Sequence, residues 1–291
     1  MYSAPTLYFH MSDSGNPTAR DIYVPYGLPI IDLATTAGHT QHVEISGITD
    51  MYAESGPDFS YVSSYIYQQS THVGGRDNGV RGDRAHGIEI RNEAWATGND
   101  GFNYHQTLSL DPDYEDGQYF IVDPYTHDNW DDGMSHHERC QATILGGLFE
   151  YNGGSGLIPA NGAHVSATGA HARKNVGALG VAGLGTGTAT GKNAGFAVAN
   201  ATGTDEGGVS TDLALYNCIS EDNDRNVYAN GDAKNFIRMY GGYVGTATTA
   251  KVAAANNAKV YLKDVGEYGT GTTKATAAGG TITVENTTKI T

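Results

Sequence analysis

Two short stretches of this chain carry residues able to do acid–base chemistry. Residues 98–106 read GNDGFNYHQ and residues 130–138 read WDDGMSHHE; both contain Asp-Gly-x-x-x-His, as Asp100 to His105 and again as Asp132 to His137. An aspartate holds or takes a proton, and an imidazole titrates near neutral pH, so each copy is an acid–base pair in waiting. Asp131 adds a further carboxylate to the later copy. Carboxylates brought within a few ångströms of each other cannot all ionise freely, so one of Asp100, Asp131 and Asp132 is expected to hold a proton near neutrality. A held proton beside a free carboxylate is the equipment for breaking a glycosidic bond. His105 or His137 could instead abstract a proton α to a carboxylate, with Arg91 steadying the charge that develops.

Such pairs are useful only if a scaffold brings them together. With 40 Gly, 8 Pro and no sustained helical period with caps, the chain reads as all-β. A two-strand unit recurs: IEIRNEAWATGNDGFNYH from Ile88, YFIVDPYTHDNWDDGMSHH from Tyr119, ATILGGLFEYNGGSGLIPA from Ala142 and DLALYNCISEDNDRNVYAN from Asp212. The first two spacings, 31 and 23 residues, differ. Hairpin arrays have short, tightly typed turns, whereas a parallel solenoid keeps its strands and lets its corners grow. These units resemble the right-handed parallel β-helix (pectin-lyase-like) superfamily, which implies a right-handed β-helix over residues 41–265. Residues 1–40 read as a lead-in belonging to a longer protein, and residues 266–291 as a C-terminal β tail.

Alternation assigns faces. On the later strand of each unit, Phe102, Met134, Leu157, Phe196 and Val227 share one column and read as interior. Asn103 and Ser135 then face outward, followed by His105 and His137, while His136 faces inward. On the earlier strand Ile88, Val122, Ile144 and Leu213 read as interior, leaving Glu89 and Arg91 outward at the border of the cleft. Tyr125 and Trp130, in corners, are expected platforms for sugar rings, which stack on aromatic faces. Glu138 completes the expected binding face.

A second resemblance concerns chemistry. GFNYHQT, residues 101–107, is similar to the Gly-Phe-Asp-Pro-His-Glu-Gln-Thr segment of mannuronan C5-epimerases, β-helices that act on alginate. His105 and Asp132 match residues of that family's site. Asn103 stands where its first aspartate belongs, and Asp100 replaces a tyrosine.

A net charge of −15 argues against nucleic acid, whose binding needs basic residues to displace counterions. No apolar run reaches membrane-spanning length. Neither a cofactor motif nor a zinc pattern is present; the acidic segment 111–117 offers oxygen ligands that Ca²⁺ could use. Cys140 and Cys218 fall several coils apart, too far for a disulfide. The expectation is a polysaccharide-degrading β-helix, a hydrolase ahead of a lyase, extracellular or carried on a virion as a trimeric tailspike depolymerase. The alternatives are a glycan-binding or adhesive solenoid without catalysis, and a uronan C5-epimerase.

Overall fold

The structure is a computed structural model, and it describes residues 22–23, 31, 42–106, 117–176, 193–199 and 210–289. Among these every element is a strand, and the strands form three sheets of ten, eleven and eight members. Each coil contributes one strand to each sheet in turn. In one coil these are His86–Ile90 in the first sheet, Glu93–Thr97 in the second and Phe102–His105 in the third. In the next they are Gln118–Val122, Tyr125–His127 and Met134–His136. All three pairings between these coils are parallel. The chain is therefore an all-β parallel solenoid. Residues 266–289 add strands to all three sheets.

The corner between the first and second sheets explains why sequences with different spacings converge on one cross-section. Two residues suffice there, and the first adopts a left-handed backbone: Arg91, Asp123, Gly146, Gly169, Asn217, Gly241 and Asp264 have φ between 49° and 70°. Gly, Asn and Asp tolerate this conformation; Arg91 adopts it against its own preference.

The corner leading to the third sheet is held by a ladder of buried amides along the solenoid axis. Asn129 Nδ2 donates to Asn152 Oδ1 at 2.9 Å, Asn152 Nδ2 to Asn175 Oδ1 at 3.0 Å, and Asn175 Nδ2 to Asn223 Oδ1 at 3.0 Å. Thr97 Oγ1 donates to Asn129 Oδ1 at 2.8 Å and extends the chain by one coil. Unpaired, each buried amide would cost about 1–3 kcal/mol; paired, they lock the coils in register.

The interior column of the third sheet matches expectation. Phe102, Met134, Leu157, Phe196 and Val227 are fully buried and aligned. Each is worth about 1.5–3 kcal/mol relative to exposure. Ile144 and Leu213 are also fully buried, and Cys140 and Cys218 are buried free thiols.

The earlier strands require a correction. Ile88 is 42% exposed and Val122 half-buried, whereas Glu89 and Ile121 point inward, each 1% exposed. Glu89 is thus not on the cleft border. Strand side chains alternate with a period of two, so a one-residue error in register exchanges the faces. The chain tolerates an interior carboxyl here because tyrosines surround it: the Tyr65 hydroxyl donates to Glu89 Oε1 at 2.7 Å, and Tyr67, Tyr104 and Tyr119 are buried in the same core. Burial pushes the Glu89 carboxyl up to about 7, with the Tyr65 and Tyr104 hydroxyls opposing that rise.

Candidate functional site

The third sheet begins where Asp100 and Asp132 sit, each two residues ahead of an interior anchor, Phe102 and Met134. Register between those anchors stacks the two aspartates in adjacent coils. The Asp132 N–H donates to Asp100 Oδ1 at 3.0 Å, and the Ser155 N–H in the following coil donates to Asp132 Oδ1 at 2.5 Å. Asn78 Oδ1 accepts from the Asp100 N–H in the same fashion at 3.3 Å. A second, carboxylate-bearing ladder thus runs parallel to the asparagine one.

Asp100, Asp131 and Asp132 converge: one oxygen from each lies within 4.8 Å of the others, and all three residues are buried. Asn103 and Ser135, expected to face outward, occupy the outer column of the third sheet but are buried, and both turn to Asp100. Its Oδ2 accepts from the Ser135 hydroxyl at 2.6 Å and from Asn103 Nδ2 at 2.7 Å, and Asn103 Nδ2 also reaches Ser135 Oγ at 3.0 Å. Burial raises the Asp100 carboxyl above its ordinary range; the bonds from Ser135, Asn103 and Asp132 and the proximity of His105 offset only part of this. Three converging carboxylates could hold a divalent cation, which takes six to eight oxygens when it is Ca²⁺. Asn103 Oδ1 and Ser155 Oγ are further buried oxygens without a hydrogen-bond partner among the described residues. The acidic segment 111–117 lies outside the described residues except for Gly117.

Farther along the same sheet, the imidazoles of His105 and His137 stack with centroids 4.5 Å apart and planes 7° from parallel. Both are partly exposed. His105 Nδ1 lies 3.0 Å from Glu138 Oε2, which also accepts from the Gln106 N–H at 3.3 Å. Glu138, expected among substrate contacts, therefore orients His105: a carboxylate on Nδ1 favours the tautomer with its proton there and leaves Nε2 as the basic nitrogen. His136 points inward as expected and is fully buried between Tyr104 and Tyr119, where desolvation pushes it down to about 3.

Other expected contacts lie elsewhere. Arg91 is exposed at the corner between the first and second sheets, 3.8 Å from Asp123. Tyr125 belongs to the second sheet and donates to Glu150 Oε1 at 2.8 Å. Trp130 is half-buried in the corner beside Asp131.

Around Tyr125 the second sheet carries a group that sequence reading overlooked. The His127 ring stacks on Tyr125 at 4.4 Å and on Trp95 at 5.4 Å. Its Nε2 lies 3.2 Å from Glu93 Oε1 and its Nδ1 lies 2.7 Å from Asp128 Oδ2. In the next coils Arg173 Nε donates to Glu150 Oε2 at 2.6 Å. Burial works against the Glu150 anion, yet Arg173 and Tyr125 together hold its carboxyl below the usual value. The signal was present in the alternation of Glu93 with Trp95, Tyr125 with His127 and Leu148 with Glu150, one pair per coil.

No family model matches the chain, and no curated protein matches it. Among solved structures the chain is similar to one titled "Crystal structure of Agl-KA catalytic domain", at 10% identity and a TM-score of 0.40. That alignment covers 92% of this chain and 63% of the other, so the chain spans less than two thirds of its length.

Proposed function

We propose that this solenoid cleaves a polysaccharide at the start of the third sheet, by hydrolysis. The observation that carries this reading is the convergence of Asp100, Asp131 and Asp132 within 4.8 Å on the sheet that also bears the stacked His105 and His137. Carboxyl groups about 5–5.5 Å apart suit a retaining mechanism, whereas inversion needs about 6.5–9.5 Å to admit water. The raised Asp100 carboxyl favours its protonated form relative to an ordinary aspartate. In the proposed reaction one protonated carboxyl of the cluster gives its proton to the glycosidic oxygen as the C–O bond breaks. A neighbouring carboxylate takes the anomeric carbon. Water then displaces that carboxylate and returns its own proton to the first group, so one water is consumed per bond cut. His105, held by Glu138, and His137 contact the sugar beside the scissile bond. Such a role suits an extracellular or virion-borne protein.

One observation favours a second reading. The Asp100 and Asp132 Oδ1 atoms accept backbone N–H groups of the following coil, the bond that Asn78 makes without any charge. Carboxylates occupied in this way support a glycan-binding solenoid without catalysis. A screen of neutral and uronate-containing polysaccharides separates the readings. New reducing ends support hydrolysis, and unsaturated uronates would indicate elimination from the histidines. Binding with neither product would leave the second reading.

A further inference from the structure

The outer face of the first sheet carries a groove of about 640 Å³ that no part of the proposed chemistry uses. It crosses six adjacent strands, from Tyr65–Gln68 to Asp212–Tyr216, and at the usual strand spacing extends roughly 24 Å along the solenoid axis. Two aligned columns line it. His86, Gln118, Gln141 and His164 stand in one, and Ile88 and Phe120 in the next, each of the last two 42% exposed.

This lining is unusual for the chain around it. With a net charge of −15 the protein is acidic, yet among the described residues lining the groove the one carboxylate is Asp212, which is ion-paired with Arg238. A floor without net charge offers nothing to a polyanion or a polycation. Side-chain amides and imidazoles beside exposed apolar groups suit a ligand that has many hydroxyls and apolar ring faces. Two copies of the chain are a poor match for it. A two-fold contact sets the same patch against itself, and two concave faces would enclose space rather than fill it. Its lining columns run from coil to coil along the solenoid axis, as a linear polymer requires.

We infer that this groove is a secondary binding site, on a different sheet from the carboxylate cluster, for a neutral linear polysaccharide lying along the solenoid axis. The inference rests on the polysaccharide reading for its ligand class but not on cleavage. Phe120 supplies the face on which a sugar ring packs, and Gln118 and Gln141 bond hydroxyls in successive coils.

The test is affinity electrophoresis and calorimetry with soluble linear glucan, mannan and xylan, and with alginate and polygalacturonate as acidic controls. The proteins are the wild type, the Gln118→Ala/Phe120→Ala double variant, and Asp132→Asn. All the substituted groove side chains are exposed, so circular dichroism should show an unchanged fold. At least one neutral polymer should bind the wild type, with Kd about tenfold weaker in the double variant, while Asp132→Asn is read for loss of cleavage. Equal binding by wild type and double variant, binding of acidic polymers only, or no polymer binding would overturn the inference. So would a wild-type dimer that the double variant dissolves, because the groove would then be an interface between copies. If neutral binding depends on the groove while no polymer is cut, the inference stands and the hydrolytic reading falls.

Discussion

His105 and His137 come from coils 32 residues apart, yet their rings lie face to face at 4.5 Å. Only parallel stacking of the third sheet puts them there, and the Glu138 carboxylate lies 3.0 Å from His105 Nδ1. If His105 moves a proton, His105→Ala should lower turnover by about 10²–10⁴, and Glu138→Gln should lower it less while leaving KM near the wild-type value. Both side chains are at least partly exposed, so stability should change by about 0.5 kcal/mol or less. Steady-state kinetics with urea melts checks this, and full activity in His105→Ala would remove the imidazole from the mechanism.

Asp132 offers a way to separate scaffold from chemistry. Its Oδ1 accepts the Ser155 N–H, and an asparagine oxygen can do the same, as Asn78 does for Asp100. Asp132→Asn should keep the ladder and the melting temperature while reducing hydrolysis at least a hundredfold. Asp132→Ala should in addition cost about 1–3 kcal/mol, because a buried N–H loses its acceptor. Equal activity in Asp132→Asn and wild type would leave the ladder as the whole purpose of this residue.

Glu89 and His136 together predict how stability follows pH. The Glu89 carboxyl is raised in the fold to about 7 from an ordinary 4.5, so the unfolded chain ionises first. Stability is therefore lost progressively as pH climbs from 4.5, and the loss is complete above about 7. His136 is lowered to about 3 from 6.5, so the unfolded chain takes up a proton first as pH falls. Its contribution is lost from pH 6.5 downward and is gone below about 3. The Glu89 effect is on the order of 3 kcal/mol and the His136 effect on the order of 5 kcal/mol. Urea midpoints measured from pH 4 to 9 should thus lose, in Glu89→Gln, the decline that the wild type shows between pH 4.5 and about 7. An unchanged decline over that window in the variant would show that Glu89 is not the group responsible.

Asn152 is the middle rung of the amide ladder, bonded to Asn129 on one side and to Asn175 on the other. Asn152→Leu keeps the branched shape but breaks both bonds, leaving the Asn129 N–H without its acceptor and each neighbouring amide one bond short. A loss of about 2–4 kcal/mol is expected in calorimetry or urea melts, with no new cleavage or binding.

How much of this was legible depended on the strand. The third-sheet strands read correctly because Phe102, Met134, Leu157 and Val227 each follow a Gly or Asn at the same place in their copies of the unit, which leaves one choice of face. In the first sheet, Tyr119, Phe120, Ile121 and Val122 are all apolar, so alternation says nothing, and Ile88-Glu89-Ile90 points the wrong way. What decides the register there is the set of interior tyrosines that accommodates Glu89, and those come from three different coils. Stacking of the aspartates and of the histidines followed from the repeat itself. The partners of Asp100 and the role of Glu138 did not, because a side chain's direction at a corner depends on backbone angles that residue type leaves open. The His127 group was missed for a plainer reason: its members are spread over several coils, and no contiguous stretch contains them all.

The asparagine ladder also has a mechanical meaning. Its bonds run along the axis, so drawing the strand out from one end loads them one rung after another. Between Asn129 and Asn175 each rung holds one coil of 23 residues. A coil of that length, once released, extends to roughly 75 Å. Force applied at the end of such a column should unzip it stepwise, as a series of ruptures spaced by the length of each coil, and the protein would resist a steady pull as a stack of separate catches rather than as a single knot.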